Sequence, residues 1–179
     1  NLSVVQCMQE NLAERLTEIM KKYHVAPAQI NLEITETAAA HSDMLENNIK
    51  ILHKQGIEFS LDDYGSGYSN TDYLFRFPFR IVKIDKTILW EAFKNEKAMI
   101  ALRNTIRMIK ELGLEIVVEG VENQEYVDYL TEQHCDYLQG YFYSKPIPDR
   151  DFLELLRREN VQYYAERFSK NELSDIITT

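Results

Sequence analysis

Residues 57–67 read Ile-Glu-Phe-Ser-Leu-Asp-Asp-Tyr-Gly-Ser-Gly, an alternating strand that ends in two adjacent carboxylates and a glycine-rich turn. The three apolar side chains of this strand share one face, because alternate residues of a strand point to opposite faces. Asp62 and Asp63 repel each other unless positive charge lies close to both. Their hard oxygen ligands suit Mg²⁺ or Mn²⁺, so the strand end is a candidate metal site.

The turn after the aspartates contains Gly65 and Gly67. Glycine allows backbone conformations that other residues resist, so this turn can fold tightly over whatever the carboxylates hold. Aspartate and glycine are also ordinary residues of solvent-exposed turns. The choice between a metal site and a plain turn therefore depends on the rest of the chain.

The whole chain alternates strand-like and helical patterns. Strands are predicted at Leu2–Val5, Ile30–Thr35, Ile57–Asp62, Arg80–Ile84, Leu114–Glu119 and Tyr137–Gly140. Helices are predicted at Met8–Tyr23, Ser42–Lys54, Glu96–Leu112, Gln124–Glu132 and Asp151–Arg158, with a helical tail to Thr179. Repeated strand–helix–strand units indicate a parallel sheet with helices outside it.

Several strands carry charged side chains on one face, towards their C-terminal ends: Glu33, Asp62, Lys83 and Glu119. In an open sheet, strands about 4.8 Å apart would spread five strand ends over about 20 Å. A closed barrel brings the same ends around one mouth, where barrel enzymes keep their active sites. The sequence therefore predicts an α/β fold of the TIM-like barrel type over residues 1–160, followed by a helical tail over 161–179. Because only six strands are visible, we expect the first strands of the barrel to be missing from this chain.

Lys83 lies inside the apolar strand Ile81–Asp85. A buried lysine needs a counter-charge, and the carboxylates of neighbouring strand ends can supply it. A lysine among metal-bound carboxylates can orient an attacking water and stabilise negative charge that develops on a phosphate. Gln139 occupies the matching position of the last strand. The four histidines fall in helical or connecting segments, and we expect them at the surface without a chemical role.

The composition is that of a soluble globular protein, with 45% hydrophobic and 27% charged residues. Cys7 and Cys135 lie in no metal-ligand spacing and fit a reducing cytosol. The net charge of −9 argues against nonspecific binding to DNA or RNA, but it permits an anionic ligand where metal ions supply positive charge. We expect a cytoplasmic domain that does not itself contact a membrane, although regions outside this chain can tether it.

Six motifs, in this order, resemble the EAL-domain family of bacterial cyclic-di-GMP phosphodiesterases. They are Asn1-Leu2-Ser3, Glu33-Ile34-Thr35-Glu36, Asp62-Asp63-Tyr64-Gly65-Ser66-Gly67-Tyr68-Ser69, Val82-Lys83-Ile84-Asp85, Glu119-Gly120-Val121-Glu122 and Gln139-Gly140-Tyr141-Phe142-Tyr143-Ser144-Lys145-Pro146. The resemblance extends from Asn1 to about Leu156. It implies a modified barrel of the triose-phosphate-isomerase type.

The resemblance also implies a role for individual residues. The metal ligands of a two-metal site would be Asn1, Glu33, Asp62, Asp63 and Glu119. The catalytic residues would be Lys83, Gln139 and Glu119, of which Lys83 positions and activates the hydrolytic water. The residues that brace the loop Asp63–Asn70 or lie on the substrate side would be Glu36, Gly65, Ser66, Gly67, Asp85 and Glu122. The family uses that loop for metal binding, dimerisation and control.

The implied reaction opens one phosphodiester of cyclic-di-GMP to give linear pGpG, with Mg²⁺ or Mn²⁺ as cofactor. The implied partners are a second copy of the chain, in a homodimer, and a fused sensory or cyclase domain. The Glu-Ala-Leu signature of the family would lie upstream of Asn1, and activity requires its glutamate in the full protein. Two alternatives remain, a cyclic-di-GMP receptor that does not hydrolyse the nucleotide and an inactive scaffold that acts through dimer contacts.

Overall fold

A computed structural model of the chain describes residues 1–39, 43–67 and 71–157. The strands are β1 (Asn31–Thr35), β2 (Glu58–Tyr64), β3 (Ile81–Ile84), β4 (Glu115–Val118) and β5 (Tyr137–Leu138). The helices are α1 (Val4–Cys7), α2 (Leu12–Lys22), α3 (Glu36–Ala39), α4 (Asp43–Lys54), α5 (Asp72–Arg76), α6 (Lys86–Ala92), α7 (Glu96–Glu111), α8 (Gln124–Glu132) and α9 (149–157).

The described residues belong to two units, Asn1–Tyr143 and a second unit that begins at Ser144 and contains α9. α9 starts directly after Pro148 and contains residues 151–157 of the helix predicted at Asp151–Arg158, whose last residue lies outside the described residues. The predicted tail over 161–179 and the predicted boundary at 160 lie outside the described residues, so both stay predictions.

The five strands form one parallel sheet in the order β1-β2-β3-β4-β5. Each strand therefore pairs with the next one along the chain, and helices make every connection between them. A doubly wound sheet reverses its strand order at a switch point, whereas a barrel wall adds its strands in sequence. The observed order is that of a barrel wall, as the sequence predicted.

The hydrophobic core lies between this sheet and the helices. The strands contribute the apolar face that their alternation predicted, with fully buried Ile34, Phe59, Leu61, Val82, Ile84, Ile116 and Val118. In α7, Leu102, Ile106 and Ile109 are buried at three- and four-residue steps. The opposite face of the sheet is thereby left to the charged side chains.

The predicted strand Leu2–Val5 is wrong. Leu2 forms a single parallel bridge to Ile34, and α1 begins two residues later. Ser3 is the N-cap of α1, since the Gln6 N–H donates to Ser3 Oγ at 3.3 Å and the Ser3 N–H donates to Gln6 Oε1 at 2.9 Å. This reciprocal capping box outweighs the strand preference of Val4 and Val5. The helix predicted from Met8 accordingly starts later, at Leu12.

The described histidines are surface residues, as predicted. His24, His53 and His134 are exposed, and His41 lies outside the described residues. In the part of the chain that the structure describes, no helix combines the length and the apolar character of a membrane span.

Candidate active site

Four of the predicted site residues meet at the C-terminal end of the sheet. Lys83 Nζ lies 2.8 Å from Asp62 Oδ1, 2.9 Å from Glu119 Oε1 and 3.2 Å from Glu33 Oε1. Glu33 belongs to β1, Asp62 to β2 and Lys83 to β3, whereas Glu119 directly follows β4. One ammonium group thus connects side chains from four successive strands, which confirms that these strand ends converge.

Lys83 is buried, with only 8% of its surface exposed. Burial alone would lower the pKa of Lys83, but the contacts with Asp62 and Glu119 outweigh burial and raise the pKa above its ordinary value. The ammonium group therefore stays charged at neutral pH. The carboxylates of Glu33, Asp62 and Glu119 supply the counter-charge that buried Lys83 requires, as predicted from the strand ends.

Asp62 and Asp63 lie at a β-bulge. Leu61 pairs with Val82 and Tyr64 with Ile84, so β2 has one residue more than β3 between these two pairs. Asp63 has a left-handed backbone conformation, with φ 56°. A regular strand would turn two consecutive side chains to opposite faces, but a bulge can redirect one of them. Carboxylate oxygens of Asp62, Asp63 and Glu119 consequently lie within 4.8 Å of one another.

The chemistry of this acidic cluster fits a divalent cation. Its donors are carboxylate oxygens, the hard ligands that Mg²⁺ and Mn²⁺ prefer. Asp62 Oδ1 is buried, and its close neighbour among the described residues is Lys83 Nζ at 2.8 Å, an ion-pair contact. Burial raises the pKa of Asp63, and the charges of Asp62 and Asp85 raise it further. The negative charge of the cluster is thus incompletely compensated by Lys83.

Gln139 and Asn1 lie at opposite ends of the site. Gln139 is exposed after β5, and its Nε2 donates to Glu119 Oε1 at 3.3 Å. Asn1 is exposed and precedes Leu2, whose N–H donates to the Glu33 carbonyl oxygen at 2.8 Å. Asn1 therefore lies beside the strand that carries Glu33. Its ligand role stays a prediction.

The Glu36 carboxylate is hydrogen-bonded to the loop after β2. Its Oε2 accepts a hydrogen bond from the Gly65 N–H at 3.0 Å, and its Oε1 accepts one from the Tyr73 hydroxyl at 3.2 Å. Glu36 is buried, so both contacts are shielded from water. This geometry agrees with the loop-bracing role predicted for Glu36.

The arrangement can be compared with known proteins. The family model of the EAL domain matches residues 1–146. The chain belongs to the EAL domain family. It is 34% identical over 145 residues to the cyclic di-GMP phosphodiesterase RocR of Pseudomonas aeruginosa, an alignment that covers 80% of this chain and 37% of RocR. The chain thus spans less than half the length of that relative.

Solved EAL structures share the fold. The EAL enzyme Bd1971, in its form with bound cAMP and cyclic-di-GMP, has a TM-score of 0.83 and 26% identity, covering 87% of this chain and 42% of Bd1971. Klebsiella pneumoniae BlrP1, as its complex with manganese and cyclic-di-GMP, has a TM-score of 0.71 and 25% identity, covering 79% of this chain and 36% of BlrP1. The five-stranded sheet is accordingly part of a TIM-like α/β barrel, as predicted.

Asp85 and Glu122 of this EAL domain were predicted on the loop-bracing or substrate side. Asp85 is buried and is the N-cap of α6, since its Oδ1 accepts hydrogen bonds from the Thr87 N–H at 2.9 Å and from the Thr87 hydroxyl. Asp85 therefore caps the N-terminus of α6. Glu122 is exposed in the loop between β4 and α8.

The glycine-rich turn of this EAL domain uses only one of its two described glycines for a special backbone conformation. Gly65 has φ 89°, and the Ser66 N–H donates to the Asp63 carbonyl oxygen at 3.1 Å. Gly67 does not have a positive φ, and a Cβ added to it would meet no atom within 4 Å. The turn therefore uses the conformational freedom of glycine at Gly65 and does not use it at Gly67. Residues 68–70 of the loop lie outside the described residues.

Sequence reasoning missed two side chains that hold the loops of the EAL domain. Tyr73 of α5 donates to Glu36, and Trp90 of α6 donates from Nε1 to the Gly120 carbonyl oxygen at 2.9 Å. Neither residue belongs to a motif with a chemical role. Both contacts depend on how helices pack against the strand ends, which local sequence patterns do not encode.

Proposed function

We propose that this chain is the hydrolytic domain of a cyclic-di-GMP phosphodiesterase, which opens one phosphodiester bond to give linear pGpG and depends on Mg²⁺ or Mn²⁺. The observation that carries this proposal is the cluster of Lys83 with carboxylates from three other strand ends. Membership of the EAL family and the phosphodiesterase RocR among its relatives support the same reaction.

The charge of the cluster supports a two-metal site. Glu33, Asp62, Asp63 and Glu119 oppose Lys83, which leaves a formal charge of −3. A phosphodiester is an anion, and this cluster without cations would repel it. Two divalent cations would bring the formal charge to +1, which attracts the substrate. Such cations lower the pKa of bound water and neutralise charge on the reacting phosphate.

The side chains of this chain have distinct tasks in the proposal. Asp62, Asp63 and Glu119 would hold the cations, with Glu33 and Asn1 as further ligands from the adjacent edge. Lys83 would orient the attacking water and stabilise the negative charge that develops on phosphate oxygens. Gln139 would assist from the far side through its contact with Glu119. Glu36 would keep the loop at Gly65 in the conformation that presents Asp63.

The proposal extends to the full protein, for which we infer a homodimer and a fused sensory or cyclase domain. The aligned region covers only 37% of RocR, which supports a further domain, whereas the homodimer rests on the resemblance to the EAL family. Light scattering on the full natural protein measures its oligomeric state. A monomer at all concentrations would contradict the dimer and would leave the proposed reaction intact.

Asp63→Asn tests the reaction in the full natural protein. The substitution removes one charge from the cluster and nearly preserves the shape of the side chain. We expect turnover of cyclic-di-GMP to fall at least about a hundredfold, with a much smaller change in nucleotide affinity. The matched control is Asp128→Asn, which changes an exposed aspartate of α8 and should leave turnover unchanged.

The assay measures conversion of cyclic-di-GMP to pGpG at several Mg²⁺ and Mn²⁺ concentrations. If Asp63→Asn retained the rate and the metal dependence of the unchanged protein, the role of Asp63 would be wrong. If the unchanged protein bound the nucleotide without metal and never hydrolysed it, the receptor alternative would replace the phosphodiesterase.

A further inference from the structure

The helix α6 packs against two loops next to the acidic cluster, the loop at Gly65 and the loop at Gly120. The backbone of Gly65, two residues after Asp63, packs so closely on α6 that an added Cβ would lie 2.0 Å from Ile88 Cδ1. The backbone of Gly120, directly after Glu119, packs in the same way, and its added Cβ would lie 2.3 Å from Lys86 Cβ. One short helix therefore lies against the loop that follows the Asp62–Asp63 end of β2 and against the loop that begins with Glu119.

Trp90 makes a directional contact with the second of these loops. Its indole Nε1–H donates to the Gly120 carbonyl oxygen at 2.9 Å, and Gly120 has a left-handed φ of 73°. Lys86 Nζ lies 5.4 Å from the centre of the Trp90 ring, a cation–π contact that favours this ring orientation. The Trp90 indole therefore packs against the loop and also requires one orientation of the Gly120 carbonyl group.

The contact fixes the backbone on the C-terminal side of Glu119. On the N-terminal side, the Glu119 N–H donates to the Ile84 carbonyl oxygen at 3.0 Å. Rotation of the peptide group that contains the Gly120 carbonyl would change the loop conformation and break the bond to Trp90. The direction of the Glu119 carboxylate towards Lys83 and Asp62 is consequently linked to the indole.

We propose that Trp90 is a positioning residue for the metal site, which acts through Gly120 to hold Glu119 in its cation-binding direction. This inference rests on the proposed function, because it assigns the purpose of the contact to the cation site. Trp90 would raise the affinity for the cation and would leave the chemistry of the loaded site unchanged.

Trp90→Phe tests the inference in the full natural protein, because it removes the N–H donor and retains an aromatic ring. We expect the Kd for Mn²⁺, measured by calorimetry, to rise about fivefold, which corresponds to the loss of one ordinary hydrogen bond. Hydrogen exchange of a peptide spanning residues 118–123 should become faster without metal. The Mn²⁺ concentration for half-maximal turnover should rise, and turnover at saturating Mn²⁺ should stay the same.

Phe93→Leu is the matched control, at the C-cap that directly follows α6. Phe93 packs on α8, with ring centres 4.5 Å from Tyr126 and 5.6 Å from Tyr129, so this change should lower thermal stability and leave the Kd for Mn²⁺ unchanged. An unchanged Kd or unchanged exchange in Trp90→Phe would overturn the positioning role. So would an equal loss of affinity in Phe93→Leu, which would indicate a general effect of destabilisation. Absence of Mn²⁺ binding in the unchanged protein would overturn this inference together with the proposed function.

Discussion

Lys83→Met should destabilise the sheet in the absence of metal, because it leaves the carboxylates around Lys83 without their counter-charge. The ammonium group contacts carboxylates at 2.8, 2.9 and 3.2 Å. Removing one partner of a buried ion pair costs about 3–5 kcal/mol. The carboxylate side chains of Asp62, Glu119 and Glu33 are 15%, 19% and 31% exposed, so water can still solvate them in part. We therefore expect the lower end of this range, about 3 kcal/mol.

Divalent cations should reverse most of this loss. A ligand present at a hundredfold excess over its Kd stabilises the folded state by about 2.7 kcal/mol. Lys83 repels a cation in the unchanged protein, and the variant lacks that repulsion. Mn²⁺ should consequently stabilise Lys83→Met more than it stabilises the unchanged protein, although turnover stays low.

Native-state hydrogen exchange of β3 at increasing denaturant concentration measures the unfolding free energy of this sheet inside the full protein. The measurement is made once with a chelator and once with saturating Mn²⁺. Arg80→Met is the control, since Arg80 pairs with Glu58 and Glu115 at 2.6 and 3.1 Å but is largely exposed. It should cause a small change that does not depend on Mn²⁺. Equal effects of the two substitutions, or equal stabilisation of Lys83→Met and the unchanged protein by Mn²⁺, would refute the charge-compensation argument.

Two further predictions concern the packing of a loop glycine and the reactivity of a partly buried thiol. Gly65→Ala should cost about 1–3 kcal/mol in denaturant unfolding, because an L-residue is strained at φ 89° and the new Cβ would lie 2.0 Å from Ile88 Cδ1. Adding Ile88→Val removes the clashing Cδ1 and should recover only the part of the lost unfolding free energy that the clash causes. An unchanged unfolding free energy in Gly65→Ala would contradict the argument. Burial raises the pKa of the Cys135 thiol to about 12, so the thiol stays protonated at pH 8 and the reactive thiolate forms only at much higher pH. Mass spectrometry should therefore find slow alkylation by iodoacetamide in the folded protein and rapid alkylation after unfolding, whereas equal rates would show that the thiol is accessible and acidic.

The sheet could be predicted from the sequence because strand parity and burial depend on nearest neighbours along the chain. Each predicted strand from Ile30–Thr35 onward contains an observed strand or overlaps it, and the apolar face packs against the helices. The prediction of the first strand was wrong because the capping contact between Ser3 and Gln6 competes with the strand preference of Val4 and Val5. Both preferences are local and similar in size, so the sequence pattern alone could not rank them.

The site could be predicted in part. The convergence of Glu33, Asp62 and Glu119 on Lys83 follows from strand parity combined with a parallel sheet, and the structure confirms it. The contacts of Tyr73 and Trp90 could not be predicted, because they arise from helix packing across 37 and 30 residues of sequence.

Asp63 shows most clearly why parity is insufficient at a strand end. Strict alternation would place Asp63 on the face opposite Asp62, yet the two carboxylates lie in one acidic cluster with Glu119. The register shift between Leu61 and Tyr64 creates the exception, and its position depends on pairing with β3 rather than on the local sequence. Aspartate tolerates a left-handed backbone better than most residues, so it can occupy the bulge at φ 56°. Two consecutive aspartates contribute to one cluster here because the second of them lies in the bulge.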